Sequence, residues 1–148
     1  MAEYFAPTQN IPLNQAAIWF ASIPCTRGQV IHEDGTGIFT LRGCNTGCFA
    51  RYEVTMNGNI ALPEGGTPGP IAVSLTVNGE TRTSSVAIVT PAAVENFFNV
   101  TSVATVTVPR GCCFSVSLRH VPASADAATT PAPVITLQNG NLTIKRTA

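Results

Sequence analysis

The side chains best suited to covalent, redox or metal chemistry are Cys25, Cys44, Cys48, Cys112 and Cys113, with His32 and His120. Cys44 and Cys48 flank Asn45-Thr46-Gly47, a turn composition that would let them face each other across a hairpin and form a disulfide if oxidised. Cys112 and Cys113 are adjacent, so on a strand they point to opposite faces, and a bond between them would be strained. Otherwise, an odd cysteine count in a chain long enough for a core is that of buried or half-buried free thiols. Cys25, Cys44, Cys48 and His32 supply zinc-type ligands, but their spacing matches no finger or ribbon. His32-Glu33-Asp34 lies beside a turn at Gly35 with no second ligand at a useful spacing, and reads as a solvated loop. His120 falls on the apolar face of its strand. It is a satisfied core or interface histidine. A dyad of Cys112 or Cys113 with His120 fails, because one strand separates them by roughly 25 Å. No serine occupies a nucleophile elbow, and no glycine loop resembles a phosphate cradle. The residues therefore offer no catalytic, cofactor-binding or metal set, and the reading is that of a non-enzyme.

Charge narrows the partners. Eight basic residues balance eight acidic ones, so the formal net charge is zero. Arg51, Arg82, Arg110, Arg119 and Arg146 are spread along the chain, which predicts pairing with scattered acids and no footprint for nucleic acid. A neutral chain rich in Thr and Ser has little charge to keep it apart from its copies, and suits an assembly. The start, MAEYFAPTQNIPLNQ, has neither a basic region nor a continuous apolar run, so usual export is not expected. No apolar stretch is long enough to insert in a membrane. Asn99-Val100-Thr101 and Asn141-Leu142-Thr143 match the glycosylation acceptor pattern and, without an export signal, read as chance. A shallow carbohydrate groove with Trp19 or Tyr52 as a stacking platform is the sharper alternative for a binding role.

The elements that would position these residues are strands. The organising stretch is 99–121. Val100, Ala104, Val106 and Val108 share one face of a first strand. After a turn at Pro109-Arg110-Gly111, Phe114, Val116, Leu118 and His120 share one face of a second. This reads as a hairpin, which needs a facing sheet to be stable. Ala16 to Ile23, Gln29 to Glu33, Ile38 to Arg42 and Phe49 to Met56 precede it as strands, with Asn57-Gly58-Asn59 as a tight turn. Ile71 to Asn78 is the cleanest strand, turned by Asn78-Gly79 into 80–90. Pro63 to Pro70 and Pro122 to Pro133 are loops, and a last hairpin turns at Asn139-Gly140. Residues 1–15, with Pro7 and Pro12 and no period, read as an extended arm, leaving 16–148 as one domain. About ten short strands with no convincing helix predict an all-β, antiparallel jelly-roll sandwich.

Several of these segments form a familiar series: CFARYEVTMNGNIALPEGGTPGPIAVSLTVNG, IVTPAAVENFFNV, VPRGCCFSVSLRHV and the terminal LQNGNLTIKRTA. The series resembles the tumour-necrosis-factor-like (TNF-like) jelly-roll heads that cap collagen-like surface fibres of spore-forming Firmicutes, and their phage relatives. The likeness covers about two-thirds of the chain and lies in turn chemistry and strand order. It implies a ten-stranded jelly roll in a tight homotrimer, with one sheet face packed around the three-fold axis, where His120 would be one of three rings that bind a metal or respond to pH. No Gly-X-Y stalk precedes the head, and the arm at 1–15 stands in its place. The expectation is thus a structural homotrimer that decorates a phage particle or bacterial surface assembly, attached through residues 1–15. The alternative is a trimeric head that recognises a glycan or host surface through the loops at 63–70 and 122–133. Location on a virion or bacterial surface follows from either.

Overall fold

The computed structural model describes residues 2–23, 29–43, 47–66, 69–123 and 134–147. Apart from a single 3-10 turn at Thr83–Ser85, the elements among them are strands. In chain order these are β1 (Ala2–Ala6), β2 (Gln9–Pro12), β3 (Phe20–Ile23), β4 (Val30–Ile31), β5 (Phe39–Arg42), β6 (Phe49–Ala61), β7 (Ile71–Val77), β8 (Glu80–Thr81), β9 (Ala87–Val89), β10 (Phe98–Pro109), β11 (Cys113–Val121) and β12 (Val134–Arg146). One antiparallel sheet runs β10-β6-β12-β1-β3, with β2 also on β12; the other runs β4-β5-β11-β7-β8, with β9 also on β7. The two sheets face each other as a jelly-roll sandwich, as the strand pattern predicts.

The core follows the alternation along the strands. Val100, Ala104, Val106 and Val108 from β10 are buried, as are Val116 and Leu118 from β11. Tyr52, Val54 and Met56 from β6 meet them, with Phe39 and Leu41 from β5 and Leu75 from β7. Aromatic rings close one side: Tyr4 meets Phe39 edge-on at 4.6 Å, and Trp19 lies 6.4 Å from the same ring. The buried Tyr52 keeps its hydroxyl satisfied by donating to the Arg42 carbonyl at 2.6 Å.

Four pairings differ from the sequence expectation. The segment 1–15 is no free arm. β1 is hydrogen-bonded between β12 and β3, β2 pairs with β12, and Ala2, Tyr4, Ala6 and Ile11 are buried. The alternation Ala2, Tyr4, Ala6 is that of a half-buried strand, but it is too short for its period to stand out. The stretch 99–121 is no hairpin either. Cys112 N–H donates to the Pro109 carbonyl across the turn, but β10 pairs with β6 while β11 pairs with β5 and β7, so the turn carries the chain from one sheet to the other.

Asn57-Gly58-Asn59 and Asn139-Gly140 are not turns. The first lies inside the continuous β6, and the second is a bulge inside β12, with Asn139 at φ 57°. A Cβ on Gly58 would lie 3.0 Å from Leu137 and 3.4 Å from the Gly140 Cα; one on Gly140 would lie 2.9 Å from Ala6 and 3.3 Å from the Trp19 ring. The two glycines form a notch that lets strands and indole approach, a use of glycine that a turn signal conceals. By contrast Asn78-Gly79, with φ 52° and 84°, does turn β7 into β8.

Removing residues 1–7 is therefore expected to take out an internal strand. Losing Tyr4 and the ladders on both sides of β1 costs several kcal/mol against a total stability of about 5–15 kcal/mol. The truncated chain should lose its cooperative urea transition; a truncated chain that unfolds at the full-length midpoint would refute this placement of β1.

Candidate functional site

The outer face of the sheet β10-β6-β12-β1-β3 is built from the residues alternate to its core positions. Cross-strand register sets them in rows. Thr101, Asn57, Asn141, Phe5 and Phe20 lie in one row across all five strands. Val103, Thr55, Thr143 and Glu3 form the next. The polar groups in these rows are bonded to one another. Asn57 donates to Thr101 Oγ1 at 2.9 Å, and Asn99 donates to the Asn57 Oδ1 at 2.9 Å and to Asn59 Oδ1 at 3.2 Å. Asn141 donates to a Glu3 carboxylate oxygen at 2.8 Å. Phe5 and Phe20 stack at 5.8 Å at the far end of the row. Val103, Phe5 and Phe49 remain 47%, 46% and 40% exposed on this largely polar surface. Lateral pairing of this kind lowers the cost of covering a polar face, because its amides need not be stripped of their only partners.

One margin of that face is a sheet edge. Among the described residues β10 has β6 as its one strand partner, so its other side is a sheet edge, and Ser102 on it bonds the Ser85 carbonyl. Arg82 reaches the Thr105 carbonyl at 3.4 Å. The strand FNVTSVATVTVP carries no interior proline or lysine of the kind that blunts free edges. A mild face bordered by a sheet edge is suited to packing against protein, and it contains no nucleophile-and-base pair.

The residues singled out by sequence are dispersed. His120 is 1% exposed within one chain, and its Nδ1 lies 2.9 Å from the Ile11 carbonyl. A carbonyl only accepts, so Nδ1 carries the proton. The ring fastens β2 to β11, and that enclosure leaves it no surface to present at an axis. Burial pushes its pKa below the ordinary histidine value, while the hydrogen bonds accepted from the ring by the backbone at Ile11 and Pro12 oppose the shift. His32 is likewise tied down, each ring nitrogen 3.0 Å from a carbonyl, Ile38 on one side and Trp19 on the other, with its ring stacked on Phe39 at 4.2 Å. Asp34 accepts from the Ala21 backbone at 2.9 Å, so the 32–34 segment holds β3. Trp19 and Tyr52 are fully buried, and neither is a stacking platform for a sugar. Cys44 lies outside the described residues, and with it the expected pair to Cys48; Cys48, Cys112 and Cys113 are exposed free thiols. The loop at 122–133 is outside the described residues from 124 onward. No helix among the described residues is long and apolar enough to cross a membrane.

The sheet face itself was half legible. Asn99, Thr101, Val103, Thr105 and Thr107 alternate with the core positions of β10, so their shared outward side is readable. Asn57 and Asn59 were hidden by the glycine between them.

No family model matches the chain, and no curated protein matches it. Among solved structures it is similar to the C-terminal domain of EclA, described as a sugar-binding protein, at 16% identity and TM-score 0.37 over 85% of this chain and 89% of that one. It is similar to the CBM22-1 xylan-binding domain of Xyn10C from Paenibacillus barcinonensis at 13% identity and TM-score 0.35, covering 97% of each chain. It is similar to AlgAT5, an alginate lyase of Polysaccharide Lyase family 7, at 8% identity and TM-score 0.35, covering 99% of this chain and 95% of that one. Scores at this level carry no functional argument. The fold class rests on the strand order of the chain itself.

The lowered pKa of His120 fixes the sign of a pH effect. Its neutral form is favoured in the folded state, so its contribution is complete above the unfolded histidine value of about 6.5 and is lost as pH falls below it toward the folded value. Between pH 7.5 and 5 the urea midpoint should fall, and His120→Gln, which retains a donor for Ile11, should fall by less. The difference is at most about 1.4 kcal/mol per pH unit for one proton. Identical slopes in the two proteins would remove His120 as a cause.

Proposed function

We propose that the chain is a non-enzymatic structural protein, a TNF-like jelly roll that works as a homotrimer and serves as an accessory or decoration component of a phage particle or bacterial surface assembly. The observation that supports this most is the outer face of the β10-β6-β12-β1-β3 sheet. Its amides and hydroxyls are paired among themselves, Val103 protrudes from its second row, and the unpaired edge of β10 borders it. A closed ring needs two different surfaces that fit each other, since each copy meets one neighbour with one surface and the next with the other. Face and edge are such a pair. The formal net charge of zero adds no long-range repulsion between copies.

Residues 2–12 are consumed by the sheet, so attachment to a larger assembly falls to the surface left outside the ring and not to a free arm. Glycan recognition through Trp19 or Tyr52 has no support, because both are buried.

Light scattering on a sizing column should give three chain masses. Val103→Glu should place a charge in the covered face and weaken association at least tenfold, about 1.4 kcal/mol, with an unchanged circular dichroism spectrum. A wild-type monomer would sink the trimer and leave a single sandwich that binds through its loops.

A further inference from the structure

Gly43 and Cys48, which precede β6, meet the turn after β10 at one end of the sandwich. The Arg110 N–H donates to the Cys48 carbonyl at 3.0 Å, and the Gly43 N–H donates to the Cys112 carbonyl at 2.9 Å. A Cβ on Gly43 would lie 2.1 Å from the Pro109 oxygen, so the two segments are in close contact there. Cys113 opposes Arg42 in the β11–β5 ladder, and Phe49 opposes Pro109 in the β10–β6 ladder. Three thiols, those of Cys48, Cys112 and Cys113, are exposed at this end. Free cysteine is among the most buried of residue types, so three exposed thiols on touching segments are not explained by packing.

The same end is cationic. Arg42, Arg51 and Arg110 are all exposed, and Arg51 lies over the Phe49 ring at 5.1 Å from its centroid. Lys145 and Arg146 end β12 on this side, opposite Glu53 and Tyr52. In a chain with no formal net charge this is a segregation of charge that the linear sequence, with its arginines far apart, does not display.

We propose that this end is a covalent capture site for an anionic disulfide-bearing ligand. The arginines raise the local concentration of the anion, and one of the three exposed cysteines reacts with it. The cysteine gives its proton to solvent, and its thiolate attacks one sulfur of the ligand disulfide. The protein–ligand S–S bond forms as the ligand's own S–S bond breaks, and the departing thiolate takes up a proton. The step is an exchange, so it requires no other oxidant.

The test uses the full-length protein and two small disulfides of opposite charge, oxidised glutathione and cystamine, with mixed disulfides located by peptide mass spectrometry. At low ionic strength glutathione should add faster than cystamine by about tenfold, at the low end of electrostatic focusing, with the adduct on Cys48, Cys112 or Cys113. The preference should shrink in high salt and in the Arg42→Gln, Arg110→Gln double variant. Equal rates, a faster cystamine reaction, no adduct from either reagent, or adducts confined to Cys25 or Cys44 would each overturn the proposal. The rate ratio is read on the wild-type chain, so it does not depend on whether any variant folds.

Discussion

The structure depends on the pairing of its first strand with its last. β12 holds β6 along one edge, and β1 and then β2 along the other, so Ala2–Ala6 is hydrogen-bonded to Gly140–Ile144 in the interior of a sheet. Such a contact closes the longest loop the chain can make. Its entropic cost grows only slowly with loop length, but it repays that cost only once the intervening strands have formed the surface it covers. The stability of the outer face described above is therefore tied to a strand far from it in sequence. Glu3, on β1, is the acceptor for Asn141, and Phe5 on the same strand ends the row that begins at Thr101.

A second constraint is steric. Trp19 is fully buried, and its ring edge comes to 3.3 Å of where a Cβ on Gly140 would stand, while Gly58 faces Gly140 from β6. Two absent side chains on neighbouring strands admit one very large one from a third segment. This notch brings the 16–20 segment against the sheet, and that segment in turn hydrogen-bonds to β11 through Ala17 N–H and the Leu118 carbonyl at 2.9 Å. His120 and His32 reinforce the same corner by bonding to backbone carbonyls. The chemistry that these histidines suggest in isolation is spent on architecture.

Much of the strand content was legible because period-two alternation is a local property. Val100 to Val108 and Val116 to Leu118 face inward as their spacing requires, and Asn78-Gly79 turns where its dihedral preferences allow. What failed was partner assignment. Strands 98–109 and 113–121 are joined by a tight turn and still enter different sheets, since each finds better-matched neighbours elsewhere: β6 over its whole length for one, β5 and β7 for the other. Asn57-Gly58-Asn59 has the composition of a turn, yet β10 pairs with all three residues and β12 with both asparagines, and the segment stays extended. The thiol and arginine end was illegible for a related reason, because Arg42, Cys48 and Arg110 belong to separate strands and connections that only the sandwich brings together.

By itself the sequence determined an all-β chain with an alternating core, a formal net charge of zero and no recognisable catalytic set, because side-chain polarity, strand period and charge are properties of neighbouring residues. Tertiary structure decided which strand lies beside which. It drew residues 2–12 into the sheet, enclosed Trp19, Tyr52 and His120, aligned Thr101, Asn57 and Asn141 in one row, and gathered three thiols with three arginines at one end. Those outcomes come from the competition among all strands for edges and for apolar area, and no local segment carries the terms of that competition.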